Sequence, residues 1–359
     1  NAFTAIERTQ YFFSIKPEFF LQGFDIFSSF FISPLFSEEF IDKERNAVHA
    51  EFKMHERSDG RRVSEVLSIT GNPSHPANRF TIGNLDTLND EQGSLREAVV
   101  NFFETHYSSD HMYFVAVTPD PIDTIKDPIV SSLRQIERRF VTKKDYGKRI
   151  TKEELATVIE VKSLSNQHEL RLVFPMPTQK GVLGFEASGY LTRLLAATGE
   201  GSLSRQLRDK GWIDSLGAVT HDYSDHERLM YIGMDLTDAG RQHTDDIIQA
   251  IFSYIQLIKE KGIHISRFHE MQKISMMEYI YYKPTNSMDQ VNKYVSRMPY
   301  YPLNRLDSIG YYTHHDRFSA DKVREMLDYL VLKNCKVLII GPDFSGDQVA
   351  PHFGVEYNV

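Results

Sequence analysis

Between residues 37 and 59 the apolar and polar positions recur at helical spacing, in a pattern unlike an ordinary core helix. Ser37 followed by Glu38 and Glu39 predicts the start: a hydroxyl cap, then acids beside the positive end of the helix dipole. At about 100° per residue, Phe40, Ile41, Ala47, Val48, Phe52 and Met54 share one side. Asp42, Lys43, Asn46, His49, Lys53 and Arg57 take the other. Glu44 and Glu51 break this division. They stand seven residues apart, about 20° out of line, within the apolar side and with His55 beside them. Carboxylates on a core-facing stripe are costly unless a cation or hydrogen-bond donors meet them. Buried arginines or helix ends would satisfy them in one reading, a metal or catalytic site in the other. Two acids in register, with a histidine one turn on, favour the second.

The rest of the chain reads as alternating strands and helices. Residues 1–4 and 11–15 are expected as strands around the polar turn Glu7-Arg8-Thr9-Gln10. Phe20, Phe24, Phe27 and Phe31 predict a core-facing helix entered through Pro17. Residues 61–68 and 94–107 read as helices, and Gly71-Asn72-Pro73-Ser74-His75-Pro76 as a rigid loop in which His75 is either a ligand or, the favoured reading, a stabiliser of the turn. The apolar run 112–118 suggests a strand inside a sheet, and 122–140 a helix interrupted by Pro128. A charged stretch, 137–149, reads as an interdomain linker. Beyond it, strands are expected at 158–161, 169–174, 230–236 and 336–340, with residues 212–216 following the turn at Gly211. Helices are expected at 188–197, 203–209, 245–259, 265–281 and 320–332, with a loose tail at the end.

The two halves echo each other weakly. Strand 11–15, helix residues 26–31 and Ser37-Glu38-Glu39-Phe40 match strand 230–236, helix residues 251–256 and Ser266-Arg267-Phe268-His269-Glu270. With Phe40 laid on Phe268, Glu44 and Glu51 fall on Gln272 and Tyr279, so the acids belong to the first copy alone.

Composition narrows the function. The 359 residues are 41% hydrophobic and 25% charged, enough for two domains with real cores. A net charge of −8 argues against wholesale nucleic-acid binding, and no apolar run approaches the length of a membrane span. Cys335 is the one cysteine, placed before an apolar strand and read as inert core. The chain opens in a strand-like pattern without Met, so a piece of a longer protein is expected. HExxH and HxxEH are both absent, since His55-Glu56, His226-Glu227 and His269-Glu270 each lack the second histidine. The pair His314-His315 cannot place both rings on one face and is expected on the surface. Gly199-Glu200-Gly201-Ser202 lacks the lysine of a phosphate loop. A complete zinc site cannot be written from these residues.

The segments NAFT (1–4), ISPLF (32–36), ERNAVHAE (44–51), GNPSHP (71–76), IGNLDTL (82–88), YSSDHM (107–112), GSLSRQLRDKGW (201–212) and AIFSYIQLIKEKGI (250–263) cover nearly the whole chain in one order. Together they resemble the pitrilysin/insulin-degrading enzyme family of zinc metallopeptidases. The resemblance implies an α+β fold of two homologous sheet-plus-helices units, the first incomplete at its N-terminus. Residues 1–150 would be the later part of the zinc-carrying domain and 151–359 a second, non-catalytic domain. Glu51 would be the third ligand of one zinc ion, and Glu44 would support a zinc-bound histidine. The family's HxxEH, with its general-base Glu, would lie upstream of Asn1, and its C-terminal half beyond Val359. Asn1, Ala2, Phe3 and Thr4 would form an edge strand to which peptide substrates add. Leu216, Gly217 and Ala218 match a strand that holds a substrate's N-terminus, although Gly189, Thr192, Arg193, Ala196 and Thr198 depart from the approach to it.

The implied activity is zinc-dependent cleavage of peptides and small polypeptides in an enclosed chamber, with this segment alone inactive. A non-catalytic paralogue, scaffold or peptide-binding subunit, is the alternative. The partners implied are peptide substrates and the missing parts of the parent, with self-association expected through an exposed sheet edge and no nucleic acid or membrane. The periplasm is suggested only by likeness to bacterial members, with the cytoplasm as the alternative.

Overall fold

The computed structural model describes residues 1–89, 95–182, 185–283, 286–308 and 318–359. His314 and His315 lie outside the described residues. The chain forms two compact units that do not follow the sequence in simple halves. The first comprises Asn1–Met54, Ile82–Asp145 and Lys283–Asp307; the second comprises His55–Thr81, Tyr146–Tyr282 and Ser308–Val359.

In the first unit, β1 (Ala2–Thr4) and β2 (Thr9–Tyr11) form a two-stranded antiparallel ribbon. The second strand therefore lies earlier than the expected 11–15. Its place is fixed by the Asn1 carbonyl, which accepts from Phe12 N–H at 2.9 Å and closes the ribbon there. The helices are α1 (Phe20–Ile32), α2 (Glu38–His55), α4 (Leu95–His106), α5 (Ile122–Leu133) and α11 (Ser287–Arg297). Phe24 of α1 is the hub: buried with Ile125 and Ile129 of α5, it gathers Phe20, Phe27, Phe114, Ala116 and Leu133 around it.

Two expectations fail in this unit. Residues 112–118 form no strand, because an extended apolar run becomes a strand only when a neighbour takes up its backbone groups, and none does among the described residues. Pro128 sits inside α5, which stops at Leu133 rather than Phe140. A mid-helix proline costs about 3 kcal/mol. Burying Ile125 and Ile129, one turn apart, contributes about 1.5–3 kcal/mol each, enough to carry the helix through.

The second unit is a seven-stranded mixed sheet with helices. Its strands are β3 (Thr157–Lys162), β4 (His168–Met176), β5 (Ile213–Asp222), β6 (Arg228–Leu236), β7 (Lys336–Gly341), β8 (Gln348–Val349) and β9 (Glu356–Asn358). The order is β5-β6-β4-β7-β3-β9-β8, antiparallel except for the β3–β7 pair. Leu170, Leu172 and Phe174 alternate along β4, and Met230, Ile232 and Met234 along β6, to face one large core. Onto it pack α6 (Ala187–Leu195), α7 (Leu203–Asp209), α9 (Thr244–Leu257), α10 (Ile265–Ile280) and α12 (Ala320–Leu327). Cys335 is fully buried there, and burial pushes its thiol up to about 12, in keeping with an inert role.

The expected loose tail is instead clamped by α3 (Asp59–Ile69). Glu65 accepts from the His352 and Phe353 amides at 2.9 and 3.0 Å, and the Arg62 guanidinium donates to Phe353 O at 2.8 Å. Asp59, on the same face, accepts from Leu164 and Ser165 N–H, and these bonds hold its carboxyl below the usual range against the opposing effect of burial. The partners of these charges, spaced i, i+3 and i+6, are backbone groups far along the chain, which no local pattern reveals.

Lys336 gives a further consequence of this packing. It is 1% exposed and donates to the Thr70 carbonyl at the end of α3. Burial pushes its ammonium down to about 8, against the pull of Glu154. Below that pH both the folded and unfolded chains hold the proton, and the buried charge costs stability. Between about 8 and the unfolded value near 10.4 the unfolded chain binds more protons, so this group makes stability rise with pH. The difference in urea unfolding free energy between wild type and Lys336→Met should therefore shift by up to about 3 kcal/mol in favour of wild type from pH 7 to pH 10. A pH-independent difference would count against a buried ammonium.

Candidate functional site

Glu44 and Glu51 both project from α2, whose N-terminal turn is closed by Ser37 O accepting from Phe40 and Ile41 N–H at 3.1 Å each. The expected single apolar side resolves into two. Phe52 is buried, with Ile41, Arg45, Val48 and His49 half-buried, and these anchor the helix. Phe40, Glu44, Ala47, Glu51 and Met54 form a second stripe at i, i+4, i+7, i+11 and i+14, and all five are exposed. Phe40 is 63% and Met54 71% exposed. The expectation that the two acids face the core is thus overturned. His49, placed on the polar side in the sequence, belongs to the anchored one. The physical reason is that Phe40 and Met54 lie about 100° or more from the stripe through Val48 and Phe52, too far round the helix to share its burial.

Neither Glu44 nor Glu51 has a hydrogen-bond or ion-pair partner among the described residues. Seven residues place them about 10.5 Å apart along the helix axis, so an ion bound directly by one is out of direct reach of the other. As donors they suit one oxygen ligand for a divalent ion and one carboxylate left to orient a neighbouring ligand. Among the described residues no cluster of three or more His, Cys, Asp or Glu is arranged to hold a metal. The fit to zinc is that of a single ligand, with the remaining ligands to come from elsewhere. His55 ends α2, and its carbonyl accepts from Ser58 N–H.

Asn1, Ala2, Phe3 and Thr4 share this unit. They are exposed, and among the described residues β1 pairs on one side only, with β2. The Phe3 ring lies 6.3 Å from Phe12, with the Arg8 guanidinium 5.6 Å over it.

Leu216, Gly217 and Ala218 belong to the second unit, in edge strand β5. Leu216 and Ala218 pack against the core, while a Cβ added at Gly217 would meet nothing within 4 Å. Backbone groups on the free edge of such a strand can accept another chain. His75 does stabilise its turn, its Nδ1 accepting from Ala77 N–H at 3.0 Å, and burial pushes its imidazole pKa down. In the glycine turn, Ser202 caps α7 by accepting from Arg205 N–H, at 3.2 Å. Sequence reasoning placed His49 on the polar side and did not single out the buried Arg228; the spacing of His49 to Val48 and Phe52 is the signal that it borders the anchored side.

The model of the family described as "Insulinase (Peptidase family M16)" matches residues 1–84, and that of "Peptidase M16 inactive domain" matches residues 94–274. The chain is 29% identical to the insulin-degrading enzyme of Bos taurus over 367 residues, covering 99% of this chain and 36% of that protein. It is 26% identical to protease 3 of Escherichia coli (strain K12), covering 100% of this chain and 37% of that one. The crystal structure of pitrilysin superposes with a TM-score of 0.93 at 26% identity, over 99% of this chain and 38% of that chain. The chain spans little more than a third of the length of the curated relatives it matches. Its helices and mixed sheet share the pitrilysin fold, and with more than half of its length under a single family model, the chain belongs to the M16, or insulinase, family of peptidases.

Proposed function

We propose that this chain is a segment of a zinc-dependent endopeptidase that degrades peptides and small polypeptides in an enclosed chamber. The observation that carries the reading is the stripe on α2: two acids without a partner among the described residues, in an otherwise apolar, exposed row, inside the region matched by the insulinase model. An exposed apolar row is costly in isolation and marks a face that meets something. In the parent protein Glu51 would be a zinc ligand and Glu44 would orient a zinc-bound histidine. When bound, zinc lowers the pKa of a water and polarises the scissile carbonyl. The side chains of this segment take up no proton in that scheme. Their work is to hold charge and position, while the general base is expected from an HxxEH outside it.

We assign residues 1–150 to the later part of the zinc-carrying domain and 151–359 to a second, non-catalytic one; the inactive-domain model supports the second assignment over residues 151–274 and extends back to residue 94. Asn1, Ala2, Phe3 and Thr4, and separately Leu216, Gly217 and Ala218, are proposed to take extended peptide along strand edges. The full-length protein should cleave a quenched fluorescent peptide, lose that activity to a chelator and regain it with zinc, while the 359-residue chain alone cleaves nothing. Chelator-resistant cleavage would rule out the zinc mechanism; a zinc-free, inactive full-length protein would make it a paralogue that kept the fold.

A further inference from the structure

The structure assigns His49 as a positioning residue that sets where Glu44 and Glu51 stand, an inference that rests on the zinc reading. His49 is half-buried on the anchored side of α2, and its Nδ1 accepts from the Leu85 N–H at 3.3 Å. That bond leaves the ring proton on Nε2. On the helical wheel His49 lies about 140° from Glu44 and about 160° from Glu51, on the opposite side of the helix and, along its axis, between them. The acids are therefore held from behind.

The segment that holds them is a rigid turn. Asn84 is 6% exposed, and its Oδ1 accepts from the Asp86 and Thr87 amides at 3.1 and 2.9 Å. Asn84 N–H donates to Thr87 Oγ1 at 3.0 Å, and Leu88 N–H donates to Asn84 O at 2.9 Å. Gly83 has φ +98°, and a Cβ there would stand 3.1 Å from Leu88 and 3.4 Å from Val48. Only glycine allows both that backbone and that approach to α2. The turn so meets α2 at Val48 by packing and at His49 by hydrogen bond.

The tolerance at stake is small. With side chains a helix has a radius of about 5–6 Å, so a 20° rotation about its axis carries a carboxylate about 2 Å. Metal–ligand distances hold to within about 0.2 Å. Apolar packing of Val48 and Phe52 is non-directional and permits such a rotation; a hydrogen bond to a fixed turn does not. His49 touches neither metal nor substrate in this scheme, and its effect passes through α2.

The test uses the full-length protein and zinc itself, with affinity read by competition against a chromophoric chelator. His49→Leu matches the ring's first atoms in shape and removes the acceptor. His49→Asn puts a carbonyl oxygen where Nδ1 stands, two bonds beyond Cβ. His49→Leu should raise the zinc Kd about 10-fold or more and lower kcat more than it raises KM, while His49→Asn restores both. Should His49→Leu fail to fold, Thr87→Val, which loosens the turn and leaves His49 intact, should move zinc affinity in the same direction. A wild-type zinc Kd in folded His49→Leu, beside a zinc-loaded wild type, overturns this inference alone; so does His49→Asn binding as weakly as His49→Leu. A wild-type protein that takes up no zinc removes the peptidase reading and this inference with it.

Discussion

In the full-length protein, Glu51→Gln should abolish peptide cleavage, and its zinc affinity should fall by more than the about 10–100-fold typical of losing an outer partner. The amide keeps the oxygen and nearly the shape but loses the charge, which is what a divalent ion draws from a carboxylate. Glu44→Gln should stay within that 10–100-fold range, because in the proposed scheme it removes only a group that orients another ligand. The exposure of both side chains makes the comparison clean. Exposed substitutions that break no contact usually change stability by less than about 0.5 kcal/mol. Melting of the 359-residue chain should therefore be unmoved by either change, and loss of zinc in the parent would report chemistry rather than unfolding. The measurement is metal content after dialysis, then chelator competition. Full zinc occupancy and near-normal turnover in Glu51→Gln would remove the metal role, and with it the ranking of the two acids.

The same pair shows where sequence reading stops. The helix, its acidic first turn and the oddity of two acids among apolar residues are all visible at 100° spacing. Which apolar stripe is covered is not, because burial depends on partners remote in sequence. Phe52 meets its partners within the chain; Phe40 and Met54 are left exposed. Strands 3, 4, 6 and 7 were legible because central strands are apolar on both faces. β8 and β9 were not, since two- and three-residue strands carry no period; they are held by pairing to each other and to β3. The charges of α3 that grip the tail likewise look like surface until their backbone acceptors and donors are known. The run 112–118 failed in the opposite sense: its composition suits a sheet, but composition does not supply a neighbour.

Arg228 carries the largest stability prediction. It is 6% exposed at the start of β6, opposite Asp222 at the end of β5. Its Nε and Nη2 donate to the two oxygens of Asp222 at 2.8 and 2.7 Å, and its Nη1 donates to Glu186 and Ser188 beside the start of α6. Burial disfavours the charge, but hydrogen bonds and the attraction of Asp222 and Glu186 outweigh it and raise the guanidinium pKa above its ordinary value. One side chain thus ties the β5–β6 hairpin to α6. Removing one partner of such a network costs about 3–5 kcal/mol when the other charges stay buried. The two acids keep about a fifth of their side chains exposed and can regain water, which moves the expectation for Arg228→Met toward the lower end of that range. Arg228→Lys should recover part of the loss, since an ammonium keeps the charge but cannot reproduce the fork to Asp222. Urea unfolding gives the size of the effect; hydrogen exchange gives its place. Amides of β5, including those of Leu216, Gly217 and Ala218, should exchange faster in Arg228→Met than those of β3 and β7. Equal acceleration across all seven strands would mean that Arg228 supports the sheet as a whole, and the edge strand would then owe nothing special to it.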